Sequence, residues 1–93
     1  MSENELLLSS LKKIEDLKEG LHTYAYNTGD WIEVAIDDYD FYKDDKDFAN
    51  LSKEIHKEFM DKFNIKIVFV YCPYNDNALK RIKDKKHELI KCV

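Results

Sequence analysis

The chain has 93 residues, of which 44% are hydrophobic and 37% are charged, a composition that indicates one folded globular domain and excludes a disordered or low-complexity protein. Acidic side chains outnumber basic ones by 19 to 15, so the net charge of −4 opposes long-range attraction to nucleic acid. No apolar run approaches the roughly 18–20 residues of a membrane span, and residues 1–10 lack the pattern of a signal peptide. We therefore expect a single cytoplasmic domain over residues 1–93 without a membrane contact.

The residues that most enzymes and metal sites require are scarce in this sequence. Gly20 and Gly29 are the only glycines, so the glycine-rich loops that hold nucleotides and the elbow that presents a catalytic serine are absent. Cys72 and Cys92 form no zinc or disulfide pattern, and the three histidines lie at no metal-ligand spacing. We predict no catalytic residue, no cofactor and no metal ligand, and we interpret the chain as a binding protein rather than an enzyme.

A first helix is predicted over residues 3–19. Ser2 and Glu5 have the spacing of a capping box, and Gly20 is a residue type that ends helices. Apolar side chains recur at intervals of three and four, which places them on one face of the helix: Leu7, Leu11, Ile14, Leu17 and Leu21. This stripe predicts that the helix packs against a core.

After residue 22 the hydrophobic period changes from 3.6 to 2, which predicts two strands. Tyr24 and Tyr26 alternate with smaller side chains on the first strand. The second strand has one apolar face, formed by Ile32, Val34 and Ile36. Residues 27–30 read Asn-Thr-Gly-Asp, residue types that favour a tight turn, so the two strands are predicted to form an antiparallel hairpin. Residues 39–43 are expected to extend the second strand or to form a short third one.

The apolar run at residues 65–72 predicts the central strand of the sheet. It is rich in β-branched and aromatic side chains and is ended by Pro73, so we expect helices on both of its faces. A second helix is predicted before it, beginning after Asp44 and Asp45, whose carboxylates can cap its first amides, and ending at Asn64. The apolar stripe of this helix consists of Phe48, Leu51, Ile55, Phe59 and Phe63. A helix between two strands predicts a parallel βαβ unit.

Two further elements complete the predicted fold. A short basic helix is expected around Ala78 and Ile82, and an exposed edge strand over residues 87–93. The class is α+β with the order α-β-β-α-β-α-β, in which helices pack on a mixed sheet that contains the antiparallel hairpin. Both a monomer and a homodimer agree with the sequence, the homodimer through the last strand or through the face that carries Leu6 and Leu8.

Charge is distributed unevenly along the chain, with most of the acidity in residues 30–47. This segment contains eight acidic and two basic residues, whereas the rest of the chain has a net charge of +2. Four aromatic side chains lie between the acids, namely Trp31, Tyr39, Phe41 and Tyr42. Three hypotheses follow for this segment: a solvated loop that only caps a helix, a protein-binding surface, or a divalent metal site.

We predict that the acidic segment binds a basic protein partner, because aromatic side chains beside charged ones are typical of interface anchors. The predicted binding residues are Trp31, Asp37, Asp38, Tyr39, Asp40, Tyr42, Asp44 and Asp45. Small acidic inhibitors of the immunity or anti-defence type, which occupy the nucleic-acid site of an enzyme, have this combination of size and charge. The sequence therefore predicts a small, acidic, non-catalytic binding module that acts as an inhibitor.

The alternative is a metal-dependent phosphodiesterase or nuclease in which Asp37, Asp38 and Asp40 bind the metal, together with Glu33. Against this hypothesis, the predicted strands lack the Glu-x-Lys pair that such nuclease cores carry next to their first acid. Nucleic-acid binding is disfavoured by the overall charge, although basic residues cluster near the C terminus: Lys80, Arg81, Lys83, Lys85 and Lys86.

Overall fold

The computed structural model describes all 93 residues and contains four helices and four strands. In chain order these are α1 (Glu3–Glu15), β1 (Thr23–Asn27), β2 (Ile32–Ile36), α2 (Tyr39–Asp44), α3 (Lys46–Phe63), β3 (Ile67–Tyr71), α4 (Asp76–Asp84) and β4 (Glu88–Lys91). The strands form one mixed sheet in the order β3-β2-β1-β4. The predicted α+β class is thus confirmed. None of the four helices combines the length and the apolar character that crossing a membrane requires.

Helix α1 begins as predicted and ends four residues earlier than predicted. The side chain of Ser2 accepts a hydrogen bond from the Glu5 amide, and the Glu5 carboxylate accepts one from the Ser2 amide, so the capping box is present. The last turn tightens where the Leu17 amide donates to the Ile14 carbonyl at 3.0 Å, three residues back. A turn then leads through Gly20, whose φ of +80° suits a residue without a Cβ.

Strands β1 and β2 form the predicted antiparallel hairpin at the centre of the sheet. Tyr24 lies opposite Ala35 and Tyr26 lies opposite Glu33. In the turn, the Asn27 side chain accepts a hydrogen bond from the Gly29 amide at 2.8 Å, and Gly29 has a φ of +97°. The turn residues anticipated from the sequence therefore bring together the two strands that are most buried.

The prediction that residues 65–72 form the central strand is wrong, because β3 lies at an edge of the sheet and pairs only with β2. Its pairing with β2 is parallel, as predicted for the βαβ unit that β2, α3 and β3 form. Of the strand residues only Ile67 is buried, since no strand covers the outer edge. The apolar run indicated burial against helices, but it carries no information on how many strands lie beside it.

The prediction of a strand at residues 39–43 is also wrong, because this segment forms the short helix α2. The Asp38 carboxylate accepts a hydrogen bond from the Phe41 amide at 3.0 Å and thereby starts the helix. Asp45 ends α2 and in turn caps α3, accepting from the Phe48 amide at 2.8 Å. The rings of Phe41 and Phe48 are both buried and lie 5.2 Å apart, so packing holds the two helices together.

The two faces of the sheet are covered unequally. Helices α1 and α3 cover one face over a major core of 14 buried residues, which includes Leu7, Ile14 and Phe59. The other face carries only the nine-residue helix α4, which packs over a minor core of four buried residues: Tyr24, Ala35, Ala78 and Ile82. Part of the second face is therefore left open beside α4.

Strand β4 is an edge strand, as predicted, and pairs antiparallel with β1. A charged contact ties it to the end of α1. The Thr23 amide and hydroxyl both donate to Glu15 Oε2 at 3.0 Å, and Lys91 Nζ lies 3.2 Å from the same oxygen. Lys91 Nζ also donates to the Thr23 carbonyl at 2.8 Å.

Of the two leucines proposed for a homodimer contact, Leu6 belongs to the major core and Leu8 is exposed. A homodimer through strand β4 or through the face that carries Leu8 stays a prediction.

Replacing Phe59 by alanine is expected to lower the free energy of unfolding by about 3–5 kcal/mol, because its ring is fully buried in the major core. Phe69→Ala should cost roughly half as much, since Phe69 is only partly buried on an edge strand. Urea unfolding of the two variants measures the difference. A loss for Phe69→Ala that equals or exceeds the loss for Phe59→Ala would contradict the placement of β3 at an edge.

The contact at Glu15 predicts a pH-dependent part of the stability. Burial alone raises the pKa of the Glu15 carboxyl, but the hydrogen bonds from Thr23 and the charge of Lys91 outweigh burial and lower this pKa below its ordinary value of 4.5. The stabilisation is therefore present above about pH 4.5 and is lost as the pH falls through the lower, folded-state pKa. At pH 7, Glu15→Gln should be less stable than the wild type by about 1 kcal/mol. In thermal melts this gap should close as the pH falls below 4.5 and through the lowered folded-state pKa, and a gap that is constant with pH would contradict the contact.

Candidate protein-binding surface

The acidic segment lies at the carboxyl ends of the two parallel strands β2 and β3. Asp37 follows β2 directly, and Ile36, the last residue of β2, lies opposite Tyr71, the last residue of β3. Because the carboxyl ends of parallel strands meet at one edge of a sheet, helix α2 and the end of β3 come together there. Most of the predicted binding residues are therefore gathered in one place.

Three of the predicted aspartates have structural roles within the chain. Asp37 Oδ1 accepts a hydrogen bond from the His22 amide at 3.0 Å, which joins the end of β2 to the start of β1. Asp38 caps α2 and forms an ion pair with Lys18, and the Lys18 contact together with the amide hydrogen bond lowers the pKa of the Asp38 carboxyl. Asp45 caps α3. These three carboxylates add negative charge to the region, but each of them accepts a hydrogen bond from a backbone amide and so stabilises the fold.

One aspartate of the metal hypothesis, Asp38, forms an ion pair with Lys18. The pKa of Lys18 is raised, chiefly by its hydrogen bond with Asp38 and also by the negative charges of Asp40 and Asp37. One carboxylate that the hypothesis assigns to a metal ion is thus already paired with an ammonium group. Nowhere in the chain are three or more His, Cys, Asp or Glu side chains placed to hold a metal ion.

Two exposed tyrosines form the most prominent feature of this region. Tyr39 on α2 is 53% exposed and Tyr71 at the end of β3 is 39% exposed. Their ring centroids are 5.2 Å apart and the rings meet edge to face at 70°, the arrangement that aromatic rings prefer. The Lys43 ammonium lies 5.6 Å from the Tyr39 ring centroid. Each ring is therefore held by a neighbour while one side of the pair stays accessible to solvent.

Two predicted aspartates remain available beside the tyrosine pair. Asp40 and Asp44 are exposed, stand four residues apart on α2 and so project on the same side of the helix. Neither carboxylate forms an ion pair within the chain. We call Tyr39, Tyr71, Asp40 and Asp44 the tyrosine surface.

The other two predicted aromatic residues lie outside the tyrosine surface. Tyr42 is half-buried, its hydroxyl donates to the Phe69 carbonyl at 3.3 Å, and its ring packs against Phe48. Trp31 precedes β2, whereas Asp37 follows it, so the length of the strand separates them by about 20 Å. The structure therefore does not bring Trp31 together with the rest of the predicted set.

Sequence reasoning missed Tyr71 and Lys18 as neighbours of the acidic segment. A signal for Tyr71 was available, because a parallel βαβ unit brings the ends of its two strands side by side, and Tyr71 ends the second strand. No comparable signal pointed to Lys18, which reaches Asp38 from the turn after α1.

The chain was compared with protein-family models, with curated proteins and with solved structures. None of the three comparisons finds a match.

The division of the aspartates into structural and available ones can be tested by stability measurements. Asp38→Ala should lower the free energy of unfolding by about 1 kcal/mol, since it removes a helix cap. Asp40→Asn and Asp44→Asn should each stay within about 0.5 kcal/mol of the wild type, as substitutions of exposed residues usually do. Chemical unfolding monitored by circular dichroism measures all three, and equal losses would contradict the assigned roles.

Proposed function

We propose that this protein is a small, non-catalytic binding module that acts as an inhibitor by attaching its tyrosine surface to a basic protein partner. The observation that carries the proposal is the exposed contact between Tyr39 and Tyr71 beside the unpaired carboxylates of Asp40 and Asp44. Of the binding residues predicted from the sequence, the proposal keeps Tyr39, Asp40 and Asp44 as direct contacts and adds Tyr71.

The two tyrosines are suited to act as the central anchors of an interface. Tyrosine is enriched among the interface residues whose replacement by alanine weakens binding most. Its ring buries a large apolar area, and its hydroxyl can form a hydrogen bond with a polar group of the partner. The edge-to-face contact of Tyr39 with Tyr71 orders both rings before a partner arrives. Less side-chain entropy is then lost on binding than with two independent flexible side chains.

The carboxylates determine which kind of partner the tyrosine surface accepts. Asp40 and Asp44 are exposed, and Asp37 together with the cap residues Asp38 and Asp45 adds negative potential around them. Lys18 and Lys43 offset only part of this charge. A basic protein surface would be attracted at long range and guided into register, and a similarly acidic one would be repelled.

A basic groove that normally holds a nucleic-acid backbone is the partner surface that fits best. Such grooves present several lysine and arginine side chains spaced to meet phosphates, so a compact protein that displays carboxylates can occupy them in place of nucleic acid. We further propose that the inhibitor acts in the cytoplasm, where its two unpaired cysteines would remain reduced.

A capture experiment with matched variants tests the proposal. Immobilised wild-type protein should retain a basic protein from lysate of the producing cells, and raising salt above physiological strength should weaken the complex, because the Debye length falls below about 8 Å. Tyr39→Ala should weaken the purified complex by about 30-fold, and Asp40→Asn with Asp44→Asn should mainly slow association. Calorimetry and surface plasmon resonance measure these effects.

Two control variants separate the tyrosine surface from general effects of apolar area and charge. Leu8→Ala removes another exposed apolar side chain, and Glu54→Gln with Asp61→Asn removes two carboxylates from α3. Both controls should bind the partner as the wild type does. A partner that binds the Tyr39→Ala and Leu8→Ala variants equally well would contradict the proposal.

The metal-dependent phosphodiesterase remains the alternative proposal, and it makes an opposite prediction. If Asp37, Asp38 and Asp40 bound a catalytic metal, Mn²⁺ at millimolar concentration would raise the melting temperature saturably, and Asp40→Asn would abolish this rise. Because Lys18 is paired with Asp38, we expect no saturable rise. A clear rise that depends on Asp40 would favour the alternative over the binding module.

A further inference from the structure

A groove lies on the open part of the second sheet face, beside helix α4. Its volume is about 290 Å³, and it is bounded by the hairpin on one side and by α4 and the start of β4 on the other. The side chains that define its chemistry are Tyr26, Trp31, Glu33, Arg81, Lys85 and His87. The groove exists because α4 is too short to cover this face of the sheet.

The floor of the groove carries an oriented carboxylate. Tyr26 and Glu33 lie directly opposite each other in the hairpin, and the Tyr26 hydroxyl donates to Glu33 Oε2. The Trp31 indole N–H donates to the other carboxylate oxygen, Oε1, at 3.1 Å. A carboxylate offers about four acceptor positions, so two remain for donors of a ligand. Burial, together with the hydrogen bond to Glu33, raises the pKa of Tyr26, which keeps its hydroxyl protonated as the donor.

Flat aromatic rings form one side of the groove. The His87 and Tyr26 rings are stacked with centroids 5.6 Å apart and planes 12° from parallel, and Tyr24 continues the stack with its centroid 6.3 Å from that of Tyr26. Trp31 adds a larger ring, and Lys66 lies 5.5 Å from its centroid. Planar ligands gain stacking energy on such surfaces whatever their exact substitution.

Two cationic side chains stand at the rim. Arg81 and Lys85 are four residues apart at the end of α4, so both project on the same side of the chain, and neither forms an ion pair with an acidic residue. A guanidinium nitrogen of Arg81 lies 3.0 Å from Cys72 Sγ, which fixes the arginine beside the end of β3. An exposed arginine and lysine with unused donors are well suited to bind phosphate oxygens.

From this arrangement we propose that the groove binds one nucleotide whose base carries an exocyclic amino group. The base stacks on the aromatic side, its amino group donates to Glu33, and its phosphate lies against Arg81 and Lys85. Glutamate accepts from the amino group of cytosine in known base recognition, while uracil has a carbonyl oxygen at that position and would repel the carboxylate. The groove volume of about 290 Å³ is at the lower end of small-ligand sites and limits the occupant to about one nucleotide.

The acidity of the whole chain does not prevent this binding. Trp31, at the hairpin end of the groove, and Asp37, which begins the acidic segment, lie at opposite ends of β2, about 20 Å apart, which is more than twice the Debye length of about 8 Å at physiological ionic strength. The Arg81 end of the groove is closer to the tyrosine surface, since Cys72 directly follows Tyr71. The local groups are Asp30 and Glu33 on one side of the groove and Arg81 and Lys85 on the other. A ligand that has a donor at one end and a phosphate at the other matches this separation of charge.

The nucleotide could be free or part of a single strand, and both sources are tested by the same reporter. Trp31 is the only tryptophan of the chain, so its fluorescence reports directly on the groove. We expect cytidine 5′-monophosphate to change this fluorescence saturably and uridine 5′-monophosphate to bind about tenfold more weakly. An eight-nucleotide oligocytidylate that binds while the mononucleotides do not would support the site and assign it to single strands.

Variants distinguish recognition of the base from recognition of the phosphate. Arg81→Ala and Lys85→Ala should each weaken binding of cytidine 5′-monophosphate about tenfold, whereas Lys83→Ala, an exposed change outside the groove, should not. Glu33→Gln keeps the shape of the side chain and should remove the preference for cytidine over uridine. Thermal melts verify that each variant is folded.

Two results would overturn the proposal. One is the absence of any saturable change with both mononucleotides and with the oligonucleotide at millimolar concentration. The other is equal binding of inorganic phosphate, cytidine 5′-monophosphate and uridine 5′-monophosphate, which would reduce the groove to a general anion site. Because these ligands are tested without a protein partner, either result would leave the proposed function of the tyrosine surface unaffected.

Discussion

The structure depends on the β1–β2 hairpin, because every other strand is attached to it and to nothing else in the sheet. Strand β3 pairs only with β2 and strand β4 pairs only with β1. The hairpin also separates the two cores, since Ala25 and Val34 face the helices α1 and α3 while Tyr24 and Ala35 face α4. Register in the hairpin therefore sets the composition of both faces, and a shift by one residue would exchange them.

The same hairpin separates two surfaces of different chemistry. Where β2 ends, Asp37 and the cap of α2 begin an acidic region from which Tyr39 and Tyr71 project. Where β2 begins, Trp31 and Glu33 face the groove beside the basic helix α4. Unequal cover of the sheet by helices leaves the groove open, and parallel pairing of β2 with β3 brings the two tyrosines together. Both surfaces thus follow from the topology rather than from a local motif.

Local signals in the sequence predicted much of the fold. The capping box at Ser2, the hairpin turn, the start of α3 at Asp45 and the parallel βαβ unit depend on neighbouring residues or on periodicity, and all are present. The six residues of α2 are too few for a helical period to be recognised in the sequence. The only local signal for this helix is its cap at Asp38, which the prediction of a strand overlooked. The edge position of β3 and its Tyr71 contact depend on long-range packing, which an apolar run does not encode.

The central claim of this account is that the tyrosine surface forms the contact with a protein partner. Hydrogen–deuterium exchange of the purified complex, compared with the free protein, tests the claim most directly because it maps protection along the backbone. The account predicts slower exchange in residues 37–45 and around Tyr71, with no change in residues 26–33 and 81–87. Protection confined to the groove segments, with residues 37–45 exchanging as in the free protein, would contradict it.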